Sequence, residues 1–238
     1  MTTMTRFAPL DNVAHADLRL KPGHGQRFGD CVNQVPVFPS EFAAVQRDCP
    51  ILFHAGEGGL AAVAILGLER DSNLFVSDGR WDARYVPALT RTGPFRLGGG
   101  VDGDLAVLVD LDHPRIADAE DAEALPLFRE HGGHAPALES AIAALRTVHA
   151  GLAQMAQMAE QFAESGVIEP ANLTVTRANG QQVRFDGYLA VAEDRLAALS
   201  GEQLERLNAA GLLGPAFQAA ASIANFNTLL ARDALRAA

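Results

Sequence analysis

Lysine, cysteine and tryptophan are nearly missing from this chain: its 238 residues include one lysine, two cysteines and one tryptophan. The other basic residues are arginines, and acidic residues outnumber basic ones by 29 to 19, for a net charge of −10. That balance argues against a protein that binds nucleic acid or an anionic membrane through charge. Cys31 and Cys49 form no Cys-x-x-Cys motif, which excludes a zinc ribbon or a thioredoxin-type site. Two reduced, buried cysteines of a cytoplasmic protein are the simplest interpretation.

Long apolar runs are also missing. Residues 60–68 are apolar but too few to cross a bilayer as a helix. Residues 209–226 carry no charge, but they are rich in alanine and include Pro215, which indicates burial in a globular core. The first 20 residues contain four charged side chains and no apolar centre, so they do not resemble a signal peptide. We therefore expect no membrane insertion and a cytoplasmic location.

Strand signals dominate residues 1–130. The first 34 residues predict an extended arm, and residues 35–37 predict an edge strand because Pro36 cannot donate to a ladder. Residues 51–54 and 60–68 predict a hairpin. Ser40 is expected to cap a short helix that ends near Arg47. Further short strands are expected at 73–76, 94–97 and 105–111, with a turn at Gly98 to Gly100.

Helix signals dominate the remainder. Residues 136–165 predict one long helix with Gly166 as its cap. Its expected buried face comprises Leu138, Ile142, Leu145, His149, Leu152, Ala156, Ala159 and Phe162. A hairpin is expected around Asn179-Gly180, then a strand at 188–191. Ser200 with Gln203 predicts a capped helix to Gly211, and a last helix is expected from residue 215 to the end.

These elements predict an α+β fold, with an antiparallel β-rich N-terminal half, a long helix, a β-hairpin and C-terminal helices. One domain over residues 1–238 is the expected organisation. A division into two lobes, at 1–130 and 131–238 with the hairpin at 172–191, is the alternative.

Familiar catalytic motifs are absent. The sequence has no P-loop, no Gly-x-Ser-x-Gly and no His-Glu-x-x-His. His131 and His134 lie close together and acidic residues precede them, but no third ligand stands at a diagnostic spacing. We therefore expect an exposed loop there, with no metal and no cofactor. His149, on the apolar face of the long helix, and His54 are the candidate catalytic bases. A core histidine bonded to a backbone carbonyl is the alternative for His149.

Charge is unevenly distributed along the chain. Residues 102–139 hold ten carboxylates and two arginines, a pattern typical of a solvated acidic face. Residues 78–96 are the opposite, with four arginines among aromatic side chains. The candidate ligand-binding residues of this segment are Arg80, Trp81, Arg84, Tyr85, Arg91, Phe95 and Arg96. Arginine forks and aromatic rings together bind carboxylates well. The alternative is an internal network, in which Arg80 and Arg84 pair with Asp78 and Asp82 while Trp81 and Tyr85 anchor the core.

The same segment carries a family resemblance. Asn73-Leu74-Phe75-Val76, Asp78-Gly79-Arg80-Trp81, Arg84-Tyr85-Val86-Pro87-Ala88 and Pro94-Phe95 resemble the signature of the bacterial SapC family. Further similar blocks are Val35-Pro36-Val37, Glu41-Phe42, Pro50-Ile51-Leu52-Phe53, Leu125-Pro126-Leu127-Phe128, Asn179-Gly180, Asp186-Gly187-Tyr188 and Glu193-Asp194-Arg195-Leu196. The chain departs from the pattern at Cys49 and Gly93, where the family has aromatic residues, and at His131 to Gly133, where it has an acidic Asp-Gly turn.

The resemblance implies a soluble accessory protein and no established catalytic residues. The family takes its name from surface-layer loci. Its genes often neighbour those for TonB-dependent transporters and halogenase-like flavoproteins, which implies a role in nutrient uptake or peptide modification. The leading hypothesis is a binding protein that recognises a peptide or another carboxylate-bearing partner through the arginine–aromatic segment. An enzyme that uses a buried histidine, and a surface-layer component, are the alternatives.

Overall fold

Two apolar runs in the N-terminal half form a β-hairpin that belongs to the five-stranded sheet. They appear in a computed structural model that describes residues 7–56, 59–99 and 104–237. Residues 51–56 pair with residues 59–65 in an antiparallel hairpin, as their patterning predicted.

The remaining elements follow in chain order. The strands are β1 (Phe7–Pro9), β2 (Arg19–Leu20), β3 (Gln34–Pro36), β4 (Ile51–Gly56), β5 (Gly59–Ile65), β6 (Val76–Ser77), β7 (Arg80–Trp81), β8 (Phe95–Gly99), β9 (Leu105–Asp110), β10 (Ile116–Ala117), β11 (Leu125–Pro126), β12 (Ile168–Pro170), β13 (Leu173–Thr176), β14 (Gln182–Phe185) and β15 (Leu189–Val191). The helices are α1 (Phe42–Val45), α2 (Ala88–Arg91), α3 (Pro136–Ser165), α4 (Glu193–Ala197), α5 (Gly201–Ala209), α6 (Leu213–Ser222) and α7 (Phe226–Ala237). The fold is therefore α+β, as predicted.

The largest sheet has five strands in the order β12-β15-β4-β5-β3, all antiparallel. It combines strands from the N-terminal and C-terminal halves of the chain. A second sheet has the order β1-β9-β8, so the N-terminal arm supplies one of its edges. The hairpin β13-β14 turns at Gly180, whose φ of 82° is the left-handed value that its Asn-Gly sequence predicted.

The long helix α3 joins two hydrophobic clusters. Its first half packs Leu138 and Leu145 against the β8-β9 sheet, and its second half packs Met158 and Phe162 against the five-stranded sheet. Its bounds and its left-handed cap at Gly166 match the prediction. The predicted face is wrong in the middle, because His149, Leu152 and Ala156 are exposed. Gly151 is buried there instead and lies directly against Phe38.

Three local predictions in the rest of the chain differ from the structure where a side chain bonds to the backbone. The short helix predicted before Arg47 is present as α1, but Ser40 does not cap it. Ser40 lies in a 3-10 turn over Pro39–Glu41, in which the Glu41 carboxylate accepts from the Phe38 N–H. Residues 73–75 are a turn, in which Asn73 Oδ1 accepts from the Phe75 N–H at 2.9 Å.

The last predicted helix is two helices, α6 and α7, joined by a 3-10 turn. At that junction the Ser222 hydroxyl donates to the Ala219 carbonyl and accepts from the Ile51 N–H. The predicted turn at Gly98 to Gly100 differs at its first two residues, since Gly98 and Gly99 belong to β8. Gly100 lies outside the described residues.

Both cysteines are free thiols. Cys49 is buried as expected, and its burial raises the pKa of the thiol to about 12. Cys31 is only half-buried, which corrects the expectation of two buried cysteines. Within the described ranges, the helices are all too short or too polar to cross a lipid bilayer.

Candidate functional site

The aromatic residues of the arginine–aromatic segment are internal anchors. Trp81 packs near Phe75, with ring centroids 6.5 Å apart, and its Nε1–H donates to the Tyr85 carbonyl at 3.0 Å. Both Trp81 and Tyr85 are half-buried against the main core. This part of the segment therefore corresponds to the alternative interpretation, in which these two rings anchor the core.

Tyr85 also belongs to a hydrogen-bonded chain that ends on a buried carboxylate. Glu41 is 2% exposed, and its Oε1 accepts from the Tyr85 hydroxyl at 2.9 Å and from the Ala88 N–H at 2.7 Å. Arg91 donates to the same hydroxyl at 3.1 Å. Burial, reinforced by the neighbouring Glu41, raises the pKa of Tyr85 to about 12. The chain fixes α2 against the body of the protein.

Arg80 and Arg84 are exposed, and neither forms an ion pair with another described residue. The predicted local pairing with Asp78 and Asp82 is wrong. Asp82 instead accepts from Arg232 at 2.7 Å, a residue of the last helix. The guanidinium of Arg232 also lies over the Phe75 ring, at 4.6 Å from its centroid.

The last two residues of the segment, Phe95 and Arg96, meet His149 at one groove. The groove has a volume of about 270 Å³ and lies where α2, β8, β9 and α3 come together. Its lining residues are Leu89, Thr92, Phe95, Arg96, Leu97, Leu105, Leu145, Val148, His149 and Leu152. The fold thus brings the distant candidate His149 beside Phe95 and Arg96.

The walls of this groove are unusually apolar for an exposed surface. Leu89, Leu105 and Leu152 are 38%, 61% and 62% exposed. They are three of the eight large hydrophobic side chains that are exposed within the described ranges, and all three line the groove. Clustered exposed leucines mark surfaces that bind a partner or ligand.

One side of the groove is the open edge of strand β8. Within the described ranges, β9 is the only strand that pairs with β8. The Asp110 N–H donates to the Pro94 carbonyl at 2.9 Å, which fixes the phase of the ladder: residues 94, 96 and 98 bond to β9. The backbone groups of Phe95, Leu97 and Gly99 therefore point away from β9. The Phe95 N–H donates a hydrogen bond to the Thr92 carbonyl at 3.1 Å and is therefore not available on this edge.

Strand alternation separates the side chains of Phe95 and Arg96. Phe95 and Leu97 lie on the face that packs towards α3, and Arg96 lies on the opposite face. There the guanidinium stacks over the Phe7 ring, with Cζ 3.4 Å from the centroid. Stacking engages only the flat face of the guanidinium and leaves its in-plane N–H donors available for a carboxylate.

The two candidate bases lie in different places. His149 is exposed beside the groove and has no hydrogen-bond partner among the described residues, so neither the predicted core position nor its carbonyl-bonded alternative is correct. His54 lies on β4, with Nε2 at 3.3 Å from Gln34 Oε1 and its ring 4.2 Å from Tyr188. Burial lowers the pKa of His54. Neither histidine contacts a carboxylate that could orient it as a base.

Two other polar clusters differ from the groove. A concavity of about 180 Å³ is lined by Asp30 and Arg115, but these buried charges pair with each other at 2.8 Å. At the predicted loop, His134 forms a β-bridge with Phe128. No three histidine, cysteine or acidic side chains in the described part of the chain are arranged to hold a metal ion.

Sequence reasoning missed the apolar half of the site. Leu89, Leu105, Leu145, Val148 and Leu152 come from three separate elements, and their meeting depends on how α3 crosses the sheet. The sequence does carry one signal: among the described residues, β8 is the only edge strand without a proline in the five-stranded sheet and the β1-β9-β8 sheet.

Comparison with known proteins gives one match. The family model described as SapC matches residues 10–229. No curated protein and no solved structure matches the chain.

Proposed function

This chain belongs to the SapC family, and we propose that it acts as a non-catalytic accessory protein that holds an acidic peptide in the groove between β8 and α3. The observation that carries this proposal is the exposed cluster of leucines beside an open strand edge, with an available guanidinium on the same strand.

The exposed guanidinium of Arg96 supports an acidic partner. The protein as a whole carries a net charge of −10, so an acidic partner needs a local cation to approach. Arg96 is exposed, stacked in place by Phe7, and without an ion pair among the described residues. The His149 ring adds a second polar side chain beside the groove. An acidic residue of the partner, placed next to Arg96, would form the ion pair that the guanidinium lacks within the described structure.

Chemistry supports binding over catalysis. The groove is lined mainly by apolar side chains. Its polar residues are Thr92, His149 and Arg96, and the Arg96 guanidinium lies on the opposite face of β8, over Phe7. Thr92 donates its hydroxyl to the Leu89 carbonyl at 2.7 Å, which engages its proton within α2. A groove of this kind offers affinity for an apolar chain and one charge contact. Peptide binding also fits a role in nutrient uptake or peptide modification, which the family resemblance implies.

A charge-reversal experiment tests this function. The probe is an N-acetylated, C-amidated pentapeptide with alternating valine and glutamate residues, valine at both ends, titrated into the labelled protein and followed by NMR. We expect saturable shifts at groove residues such as Leu105 and Leu152. Arg96→Glu should weaken binding about ten-fold, because an attractive cross-strand pair becomes a repulsive one.

The matched control is Arg80→Glu, which changes the net charge equally at an exposed arginine outside the groove. It should change the affinity by less than about two-fold. The corresponding valine–lysine peptide should prefer the Arg96→Glu protein. No binding of the acidic probe to the wild-type protein, or an equal loss in the Arg80→Glu protein, would refute the proposal. An equal loss would instead favour the broader surface, from Arg80 to Arg96, that the sequence indicated.

A further inference from the structure

We propose that the peptide binds by strand addition: it pairs antiparallel with the open edge of β8 and becomes the fourth strand of the β1-β9-β8 sheet. This rests on the proposed function, because it specifies how the same groove holds its peptide. The mode of binding also dictates which peptide sequence fits.

Backbone groups available for pairing lie along the outer edge of β8, except at the Phe95 N–H, which donates to the Thr92 carbonyl. Leu97 and Gly99 each direct an N–H and a carbonyl away from β9, and Phe95 directs its carbonyl the same way. None of these groups bonds to another strand among the described residues. Five residues of strand extend over about 17 Å, which matches a bound segment of about five residues.

In the β1-β9-β8 sheet and the five-stranded sheet, every other edge strand ends in a proline: β1 in Pro9, β3 in Pro36 and β12 in Pro170. Proline has no N–H to offer a new strand. At β12, Arg195 additionally donates to the Ile168 carbonyl at 3.2 Å. In β8 no proline interrupts Phe95–Gly99, and the strand carries one charge, Arg96. Natural sheets protect exposed edges, so an unprotected edge beside an apolar groove indicates a binding edge.

Strand geometry then determines the side-chain pattern of the peptide. In an antiparallel pair, the peptide residue opposite Leu97 exchanges both backbone hydrogen bonds with it, and its side chain lies on the Leu97 face. That face looks towards Leu145, Val148 and Leu152 of α3. The residues before and after it lie on the Arg96 face. The ligand is therefore an extended segment in which apolar residues alternate with acidic ones.

Antiparallel addition is favoured over parallel addition. Every strand pair in the described structure is antiparallel. A peptide in the opposite direction would present the N–H groups of its acidic residues to β8 instead of those of its apolar residues. This difference gives the proposal a direct test.

The test uses two isomeric forms of the valine–glutamate pentapeptide. One is N-methylated at its second and third valines, and the other at both glutamates. Each methyl group removes one donor and blocks close approach on one edge of the peptide. The N-methylvaline form should bind at least about ten-fold more weakly, because two backbone hydrogen bonds are lost. The N-methylglutamate form should bind within about two-fold of the parent.

A protein variant gives the complementary test. Leu97→Pro removes an N–H that takes no part in the native ladder, so the β8-β9 pairing is retained, and it should weaken binding about ten-fold. Leu97→Ala keeps the donor and shortens the side chain, so it should weaken binding less. If Leu97→Pro does not fold, the peptide pair still decides the question.

The outcomes separate the two levels of the proposal. If the parent peptide does not bind, the proposed function itself is wrong. If it binds but neither N-methyl form differs from it, the groove holds peptides without strand addition. If the N-methylglutamate form is the weaker one, addition is parallel and the antiparallel register is wrong. Only selective loss with N-methylvaline supports the inference.

Discussion

Replacing Glu41 by alanine is expected to lower the free energy of unfolding by about 3–5 kcal/mol, because a buried carboxylate that serves several donors is removed. Glu41 is 2% exposed and accepts three hydrogen bonds, from the Phe38 N–H, the Tyr85 hydroxyl and the Ala88 N–H. Alanine leaves both N–H groups buried without an acceptor. It also removes the anion nearest the Arg91–Tyr85 pair.

Urea unfolding measures this effect. Glu41→Gln keeps the shape and one oxygen, so it should lose only about 1–2 kcal/mol. The control is Glu202→Ala, because Glu202 is exposed and pairs only with Arg206 one helical turn away at 3.1 Å. Its loss should be at most about 0.5 kcal/mol. If Glu41→Ala is no more harmful than Glu202→Ala, the buried network does not hold α2, and the position of Leu89 in the groove needs another explanation.

The second large effect concerns Gly151, at the middle of α3. A methyl group there would lie 2.2, 2.4 and 2.6 Å from three carbon atoms of Phe38. Alanine normally stabilises a helix interior by about 1 kcal/mol relative to glycine. Here the overlap forces α3 or Phe38 to move, and we expect Gly151→Ala to destabilise the protein by about 2–3 kcal/mol instead.

Gly214→Ala is the matched control, because Gly214 also lies in a helix and an added methyl group would come no closer than 4.0 Å to its nearest neighbour. That substitution should be neutral or stabilise by up to about 1 kcal/mol, so the two changes should differ in sign. Thermal and urea unfolding of both variants are the measurements. A stabilised Gly151→Ala protein would contradict the packing of α3 against Phe38. It would also contradict the orientation of α3 that places Leu152 in the groove.

Residues that begin or end helices explain which elements could be predicted from the sequence. The bounds of α3 are correct because Pro136 fits a first turn and Gly166 adopts a left-handed cap with φ of 69°. The capping box of Ser200 and Gln203 is correct for the same reason, since both of its reciprocal bonds are formed. These signals act within one or two turns and do not depend on the rest of the fold.

The face of α3 could not be predicted in the same way. Hydrophobic spacing placed Leu152 and His149 inwards, but the buried line runs from Leu145 through Gly151 to Met158. A glycine carries no hydrophobic side chain, so a periodicity count passes over it. Its burial arises because Phe38, from a distant part of the chain, needs that space. The exposed leucines of the groove are the consequence.

Long-range pairing explains the other differences. Asp82 binds Arg232 rather than its neighbours, and no local pattern connects residues that far apart. The arginine–aromatic segment is likewise predicted as a binding site from its composition alone. In the structure, the rings of Trp81 and Tyr85 pack against the core. Arg91 belongs to the hydrogen-bonded network of Glu41, whereas Phe95 and Arg96 line the groove. Composition indicated the segment, but the packing of α3 and β8 decides which of its residues face a partner.

Amide hydrogen exchange at β8 tests the central claim most directly. In the free protein, Leu97 and Gly99 should exchange rapidly, while Arg96 and Gly98, whose N–H groups bond to β9, should be protected. Saturation with the valine–glutamate pentapeptide should slow exchange at Leu97 and Gly99 by at least about ten-fold and leave Arg96 and Gly98 little changed. If Leu97 and Gly99 exchange as fast with the bound peptide as without it, the edge of β8 does not pair with the partner, and the account is contradicted.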